Sequence, residues 1–146
     1  MDIGSGSSYP SCALSNFAPH PFEIDGVYCA SMEGFLQSLK FSNPDMQAHV
    51  CTLVGKAAKF KGKKKNWWRD QTLYWKGVPV HRSSEAYQNL ITNAYNAIIL
   101  NDGFRRALKA TGNATLTHSM GKNKINETVL TEREFVGQLT RLRDLL

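Results

Sequence analysis

Ser31-Met32-Glu33-Gly34-Phe35-Leu36-Gln37-Ser38-Leu39-Lys40-Phe41 is the stretch on which the reading of this chain turns. Serine is a favoured N-cap, and Asn43-Pro44 closes the segment because the residue before a proline avoids helical backbone. The span from Met32 to Phe41 is therefore predicted to be helix. At about 100° per residue, Glu33, Gln37 and Lys40 fall within a sector about 60° wide. Met32, Leu36 and Leu39 flank it on one side and Phe41 on the other, so the helix carries a polar seam beside apolar surface. A first-turn glutamate and a last-turn lysine also match the helix dipole, which requires no function. If the seam is enclosed, burial raises the carboxyl pKa and lowers the amine pKa, while pairing opposes both shifts. A neutral lysine attacks an aldehydic sugar carbon, and a carboxyl group gives or takes the proton at a glycosidic bond.

Working outward, Phe22 to Tyr28 alternates apolar and polar residues around Asp25-Gly26, a hairpin pattern. A second helix is predicted from Pro44 to about Val54, with proline at its first position. Lys56 to Lys65 continues as helix or irregular basic segment. Leu73-Tyr74-Trp75 and Val78-Pro79-Val80 flank Lys76-Gly77 as a second hairpin, placed at an edge by its proline. Ser83 or Ser84 then caps the longest helix, in which Tyr87, Leu90, Ile91, Ala94, Tyr95, Ile98 and Ile99 recur at helical spacing. A short helix around Phe104 and Leu108 ends at Thr111-Gly112-Asn113, and Thr115 to Met120 reads as a short extended piece. Thr131-x-x-Glu134 is a capping-box pattern opening a last helix with Phe135, Leu139, Leu142 and Leu146 on one side. Hairpin-then-capped-helix occurs twice, at Gly26 to Phe35 and at Gly77 to Tyr87. The expected fold class is α+β, predominantly helical, with small β-hairpins and no βαβ series.

The chain has 146 residues, 42% of them apolar and 21% charged, which fits one globular domain and not a disordered chain. Residues 1–10, rich in Gly and Ser, are expected to be a flexible lead-in rather than a signal peptide, with residues 11–146 forming the domain. No stretch has the length of a membrane span. Cys12, Cys29 and Cys51 lack CxxC spacing and suit reduced thiols in a cytoplasmic protein. His20, His49, His81 and His118 are scattered, so neither a metal nor another cofactor is expected. The net charge of +6 is concentrated: Lys56, Lys59, Lys61, Lys63, Lys64 and Lys65 lead into Trp67, Trp68 and Arg69. That run fits a solvated helix face with inward tryptophans, or a surface that tracks phosphates and stacks bases. Either way the positive charge attracts an anionic, phosphorylated partner. GxSxG, P-loop, GxGxxG and HExxH patterns are absent.

Leu14-Ser15-Asn16-Phe17-Ala18-Pro19-His20-Pro21-Phe22, then Ile24-Asp25-Gly26, then Ser31-x-Glu33-x-x-Leu36-Gln37-x-x-Lys40 resembles the opening block of the YbiA-like (NADAR) family. The ordered match covers about thirty residues, with Leu36 where that family usually has an aromatic. The resemblance implies a YbiA-like single domain with N-glycosidase chemistry. The substrate classes it implies are ADP-ribosyl-guanine or a related ADP-ribose derivative, and phosphoribosylamino-pyrimidines of riboflavin synthesis. The partner it implies is a phosphorylated nucleotide-sugar, and ADP-ribosylated nucleic acid is a further one. Carried over, Glu33 is the acid/base, Lys40 a Schiff-base nucleophile and Gln37 an orienting group. Asn16 and Phe17 line the sugar or base pocket. Trp68, or alternatively Trp67, stacks on the base beside lysines that meet phosphate. The last third departs from the family's Asp…Trp-Gly, offering Thr117-His118-Ser119-Met120-Gly121-Lys122, so the chain is similar to short versions carried by bacterial viruses. His118 there replaces the aspartate as a polar contact, or is an ordinary loop histidine. A viral origin implies the host cytoplasm. The competing function is a non-catalytic module binding a nucleotide or single-stranded nucleic acid.

Overall fold

The computed structural model describes every residue from Met1 to Leu146. Its elements run α1 (Ser11–Leu14), β1 (Phe22–Ile24), β2 (Val27–Cys29), α2 (Met32–Ser38), α3 (Pro44–Cys51) and α4 (Gly55–Lys63). A 3-10 turn (Trp67–Arg69) leads to β3 (Thr72–Trp75), β4 (Val78–His81), α5 (Glu85–Ile98), α6 (Asp102–Ala110) and α7 (Glu132–Asp144). The fold is α+β and predominantly helical, with two separate two-stranded antiparallel sheets. No helix is long and apolar enough to cross a membrane.

Both hairpins turn where the sequence supplies residues tolerant of left-handed backbone. Asp25 and Gly26 have φ of 50° and 78°, Lys76 and Gly77 have 52° and 84°, and paired positive φ matches the right-handed strand twist. Phe22 then faces Cys29, and Thr72 faces His81. Trp75 Nε1 donates to Asp25 Oδ2 at 2.8 Å and Lys76 Nζ donates to the Asp25 carbonyl at 3.0 Å, tying one hairpin to the other. Pro79 sits in β4, a strand bonded on one side only, as its missing N–H requires.

The apolar stripe of α5 forms the centre of the core. Tyr87, Leu90, Ile91, Ala94, Tyr95 and Ile98 are all buried, and they join Phe35 and Leu39 of α2, Phe104 and Leu108 of α6, and Phe135 and Leu139 of α7 in one cluster. Buried polar groups in the frame are matched. Gln47 Nε2 donates to the carbonyls of Ser38 and Tyr74, and its Oε1 accepts from the Lys76 amide at 2.8 Å, which fastens α3 to the end of α2 and to β3. Two glycines let α2 approach its neighbours closely. A Cβ on Gly34 would meet the Leu53 carbonyl oxygen at 2.4 Å, and one on Gly62 would meet Gln37 Oε1 at 1.9 Å. The polar seam of α2 is therefore pressed against α4.

Several expectations need correction. The helix opened by Ser31 ends at Ser38, because Leu39, Lys40 and Phe41 donate to residues three back and the last turn tightens. The helix expected from Pro44 to Val54 stops at Cys51, and the chain restarts as α4 after swinging through Gly55 at φ 53°. Leu146 is exposed, one residue beyond the C-cap of α7. Residues 1–10 are not a loose lead-in throughout. Ile3 is buried in the core, its amide donates to the Thr117 carbonyl at 2.8 Å, and Asp2 and Thr117 form a parallel bridge. Two carbonyl-matched amides and one buried apolar side chain hold that segment, which its Gly/Ser content concealed.

Candidate active site

A cavity of about 390 Å³ opens between α2, α4 and the loop that leads into α7. Asn16, Glu33, Gln37 and Lys40 form one wall, Lys59 and Lys63 the α4 side, and Trp67 an aromatic side. His118, Gly121, Lys122 and residues Glu127 to Leu130 close it opposite.

Glu33 lies at the centre. Its Oε1 accepts from Gln37 Nε2 at 2.9 Å, one helical turn on, and its amide donates to the Asn16 carbonyl at 3.0 Å. Burial raises its pKa above the usual carboxylate value, while the Gln37 bond and the charges of Lys40 and Lys59 act the other way without cancelling the rise. Burial lowers the pKa of Lys40, Glu33 opposes that shift, and Lys122 adds to it. Both groups are thus moved toward their neutral forms. Gln37 is only 8% exposed and its Oε1 has no hydrogen-bond partner. The amide donates from its nitrogen to Glu33 and is packed on its oxygen side against Gly62.

Asn16 Oδ1 accepts from the Tyr95 hydroxyl at 2.9 Å. Burial holds the Tyr95 pKa well above normal, so this hydroxyl stays a donor and the Asn16 amide nitrogen is left for the cavity. His118 Nδ1 lies 2.7 Å from the Ile3 carbonyl oxygen, which can only accept, so Nδ1 carries a proton and Nε2 is the ring nitrogen left without a protein partner. Its ring meets Phe135 edge-on at 5.0 Å. The loop under it is pinned by Asp2, whose carboxylate accepts from the Ser119 amide at 2.8 Å, Ser119 Oγ at 2.6 Å and Thr117 Oγ1 at 3.0 Å. The Ser119 bonds and then Thr117 hold the Asp2 pKa down.

The opposite wall has its own latch. Arg82, fully buried, donates to both Glu134 oxygens at 3.1 and 2.6 Å and through Nε to the Thr128 carbonyl at 2.8 Å. The Tyr87 hydroxyl donates to the Val129 carbonyl at 2.6 Å. Burial alone would raise the Glu134 pKa, but the bonds from Arg82, Gln88 and the Thr131 amide bring it below normal. The capping box that opens α7 is thereby also the anchor of a cavity wall.

Of the residues singled out from sequence, Asn16, Glu33, Gln37, Lys40 and His118 share this cavity, whereas Trp68 and Phe17 do not line it. Trp67 takes the place assigned to Trp68. A 3-10 turn has about three residues per turn, so neighbouring side chains project about 120° apart. Trp67 is 8% exposed and faces the cavity, while Trp68 is 54% exposed and borders an adjoining groove. The tight turn at Ser15–Ala18 leads the half-buried Phe17 ring toward Gly55 at the start of α4 instead. Lys59, Lys63, Lys122 and Glu127 are cavity residues that the motif did not contain. Lys59 and Lys63 stand four apart in the basic run, which was the available signal. All six lysines of the run are exposed, Lys59 and Lys63 at the cavity's edge, and Lys65 lies over the Phe41 ring at 4.9 Å. Four lysines against two glutamates make the cavity electropositive. No group of three or more His, Cys, Asp or Glu is placed to hold a metal ion. A larger groove of about 830 Å³ on the outer side of α7 is broad and open, and lacks such a carboxyl–amine pair.

Comparison with known proteins bears on the fold and the family of this chain. The NMR structure of Escherichia coli YbiA superposes with a TM-score of 0.64, covering 99% of this chain and 83% of that one at 19% identity. A 17.1 kDa protein from the Gp30–rIII intergenic region of Enterobacteria phage T4 is 44% identical over 149 aligned positions, spanning 100% of this chain and 98% of its own. The family model described as bacteriophage protein GP30.3 matches residues 8–144. The chain therefore belongs to the bacteriophage GP30.3 family, as a phage-type protein of YbiA-like fold.

Proposed function

We propose that this protein is an N-glycosyl hydrolase acting at the ribose carbon of a nucleotide-like substrate, an ADP-ribosyl-guanine or related ADP-ribose derivative. The observation that carries the proposal is the shared burial of Glu33 and Lys40 in an electropositive cavity, each shifted toward its neutral form. Oε1 of Glu33 accepts from Gln37, so the acid proton resides on Oε2 and is available to a leaving base. As the C1′–N bond breaks, that proton passes to the base nitrogen and the ribose becomes electron-poor at C1′. The amine of Lys40 adds to C1′, and as the C1′–O4′ bond then opens an amine proton passes to O4′, leaving a ring-opened protonated imine opposite the Glu33 carboxylate. Water then hydrolyses the imine, returning Lys40 and releasing the sugar. Asn16 N–H and His118 Nε2 offer a donor and an acceptor to ribose hydroxyls, Trp67 stacks on the base, and Lys59, Lys63 and Lys122 meet phosphate. The compartment we propose is the host cytoplasm, in keeping with a phage family.

The test is incubation with ADP-ribosylated guanosine and with phosphoribosylamino-pyrimidine, following base release, with and without borohydride. The expected result is release from the former and a sugar adduct on Lys40 in a tryptic digest. Full turnover in Lys40→Ala would refute the covalent route, and full turnover in Glu33→Gln would refute the acid.

A further inference from the structure

The outer surface of α4 carries side chains that the cavity does not use. Ala58 and Gly62 are the buried residues of this helix. Phe60 stands two residues from each, about 200° round the helix from either, so it projects directly away from the core. It is 57% exposed. Lys59 and Lys63, which edge the cavity, lie to one side of it, and Ala57, Lys61 and Lys64 lie to the other. On that second side, Phe60 and those three residues join Phe41 and Lys65 around a groove of about 380 Å³.

Helix stability does not account for this surface. Lys56 stands in the first turn, the unfavourable end of the helix dipole for a cation, and α4 has no first-turn acid to offset it. Lys61 and Lys65 repeat at a spacing of four, where like charges repel. The ion pairs of the chain are made by Arg82, Arg105 and Arg106, so no lysine of the run is neutralised by a carboxylate. Phe60 likewise stands outside the core cluster.

We infer that this face of α4 is a docking site for an acidic peptide segment of another protein. One apolar side chain of that segment enters the groove beside Phe60, and carboxylates on either side of it meet Lys56, Lys61 and Lys64. The unpaired lysines set the sign of the occupant. A second copy of this chain, itself carrying +6, is repelled. The groove's side chains supply hydrocarbon, lysine stems and ammonium donors, with no acceptor among them. A nucleobase would bring amino groups that find no partner there, whereas a leucine or phenylalanine side chain leaves nothing unmatched. A lipid surface is held by a broad apolar helix face, and the nine residues of α4 present a single outward aromatic. The site lies apart from the Glu33–Lys40 pair and does not depend on any reaction there.

The experiment uses a fluorescein-labelled peptide with one phenylalanine between two blocks of Asp and Glu, read by anisotropy and by amide shifts of the ¹⁵N-labelled protein. The shifts are expected at Ala57, Phe60, Lys61 and Lys64, with the Gln37 side-chain amide unmoved. Affinity should fall as salt rises. Phe60→Ser should weaken binding about ten- to a hundredfold, as should alanine in place of the peptide's phenylalanine. Lys61→Gln combined with Lys64→Gln should weaken it and flatten the salt dependence. All these changes are on the surface, so thermal unfolding should stay close to the wild type. The inference is overturned if the peptide does not bind at low ionic strength, or if it binds Phe60→Ser as it binds the wild type. It is equally overturned if the shifts centre on Gln37 and Lys59, which would put the peptide in the cavity. A single-stranded oligonucleotide or phosphatidylserine vesicles engaging Phe60 more tightly than the peptide would also overturn it, by making the face a nucleic-acid or membrane contact.

Discussion

Gly62→Ala is the substitution that most directly links helix packing to the site. In an isolated helix, replacing an interior glycine by alanine stabilises by about 0.8–1 kcal/mol. At Gly62 the new Cβ would stand 1.9 Å from Gln37 Oε1, 2.8 Å from Cδ and 3.0 Å from Cβ. The amide end can swing away, but Gln37 Cβ is fixed to the backbone of α2, so α2 and α4 must also part slightly. Overpacking of this kind costs about 1–3 kcal/mol, which turns the expected gain into a net loss of up to about 2 kcal/mol. Gly137 in α7 is the control, since nothing lies within 4 Å of its added Cβ and the full helix gain of about 0.8–1 kcal/mol should appear. For a chain of this size 1 kcal/mol moves Tm by roughly 2–4 °C, so urea and thermal unfolding of the two variants should separate in opposite directions. Displacing Gln37 also removes a bond that holds the Glu33 pKa down, so a carboxyl ¹³C titration should find Glu33 raised further in Gly62→Ala. The reasoning fails if Gly62→Ala stabilises as much as Gly137→Ala and leaves the Glu33 titration unmoved.

Glu33→Gln should stabilise the fold at neutral pH, because the raised native pKa means that ionised Glu33 is disfavoured in the folded state. The sign follows: the difference from wild type vanishes below about pH 4.3 and grows as pH rises through the folded value, and a urea series across that interval checks it, with a pH-independent difference counting against burial as the cause. Arg82→Met strands Glu134 and the Thr128 carbonyl and should destabilise by about 3–5 kcal/mol in chemical denaturation, whereas a loss below about 1 kcal/mol would show that the latch is dispensable. Glu134 contributes in the opposite sense to Glu33, since its lowered pKa gives stability above about pH 4.3 that is lost as pH falls through the folded value; Glu134→Gln should flatten this part of the acid limb. Asp2→Ala removes the acceptor for Ser119 and Thr117 and should accelerate amide exchange at Ser119 while leaving α5 protected; unchanged exchange would mean that Asp2 does not hold the His118 loop.

Much of the frame was legible in sequence because it depends on local rules. Asp25-Gly26 and Lys76-Gly77 give hairpins because glycine relieves left-handed backbone, Ser31, Ser84 and Thr131 cap helices with their own oxygens, and the α5 repeat has one apolar face to bury. The seam of Glu33, Gln37 and Lys40 was visible for the same reason: three residues on one short helix keep their relative bearing wherever that helix goes. What the sequence left open was whether the seam faced water or an enclosure.

Only the tertiary structure decided that question, through contacts between residues far apart in the chain. Gly62 lets α4 close over Gln37, Arg82 draws Thr128 across from the far side, and Ile3 and Asp2 hold His118 from more than a hundred residues away. The choice between Trp67 and Trp68 belongs to the same class. Their types and positions are adjacent in sequence, and only the pitch of one 3-10 turn against the loop carrying Lys122 sends the first inward and leaves the second open. Local chemistry determined which side chains stand on the seam; burial, which needs walls contributed by distant segments, determined the direction in which their pKa values move.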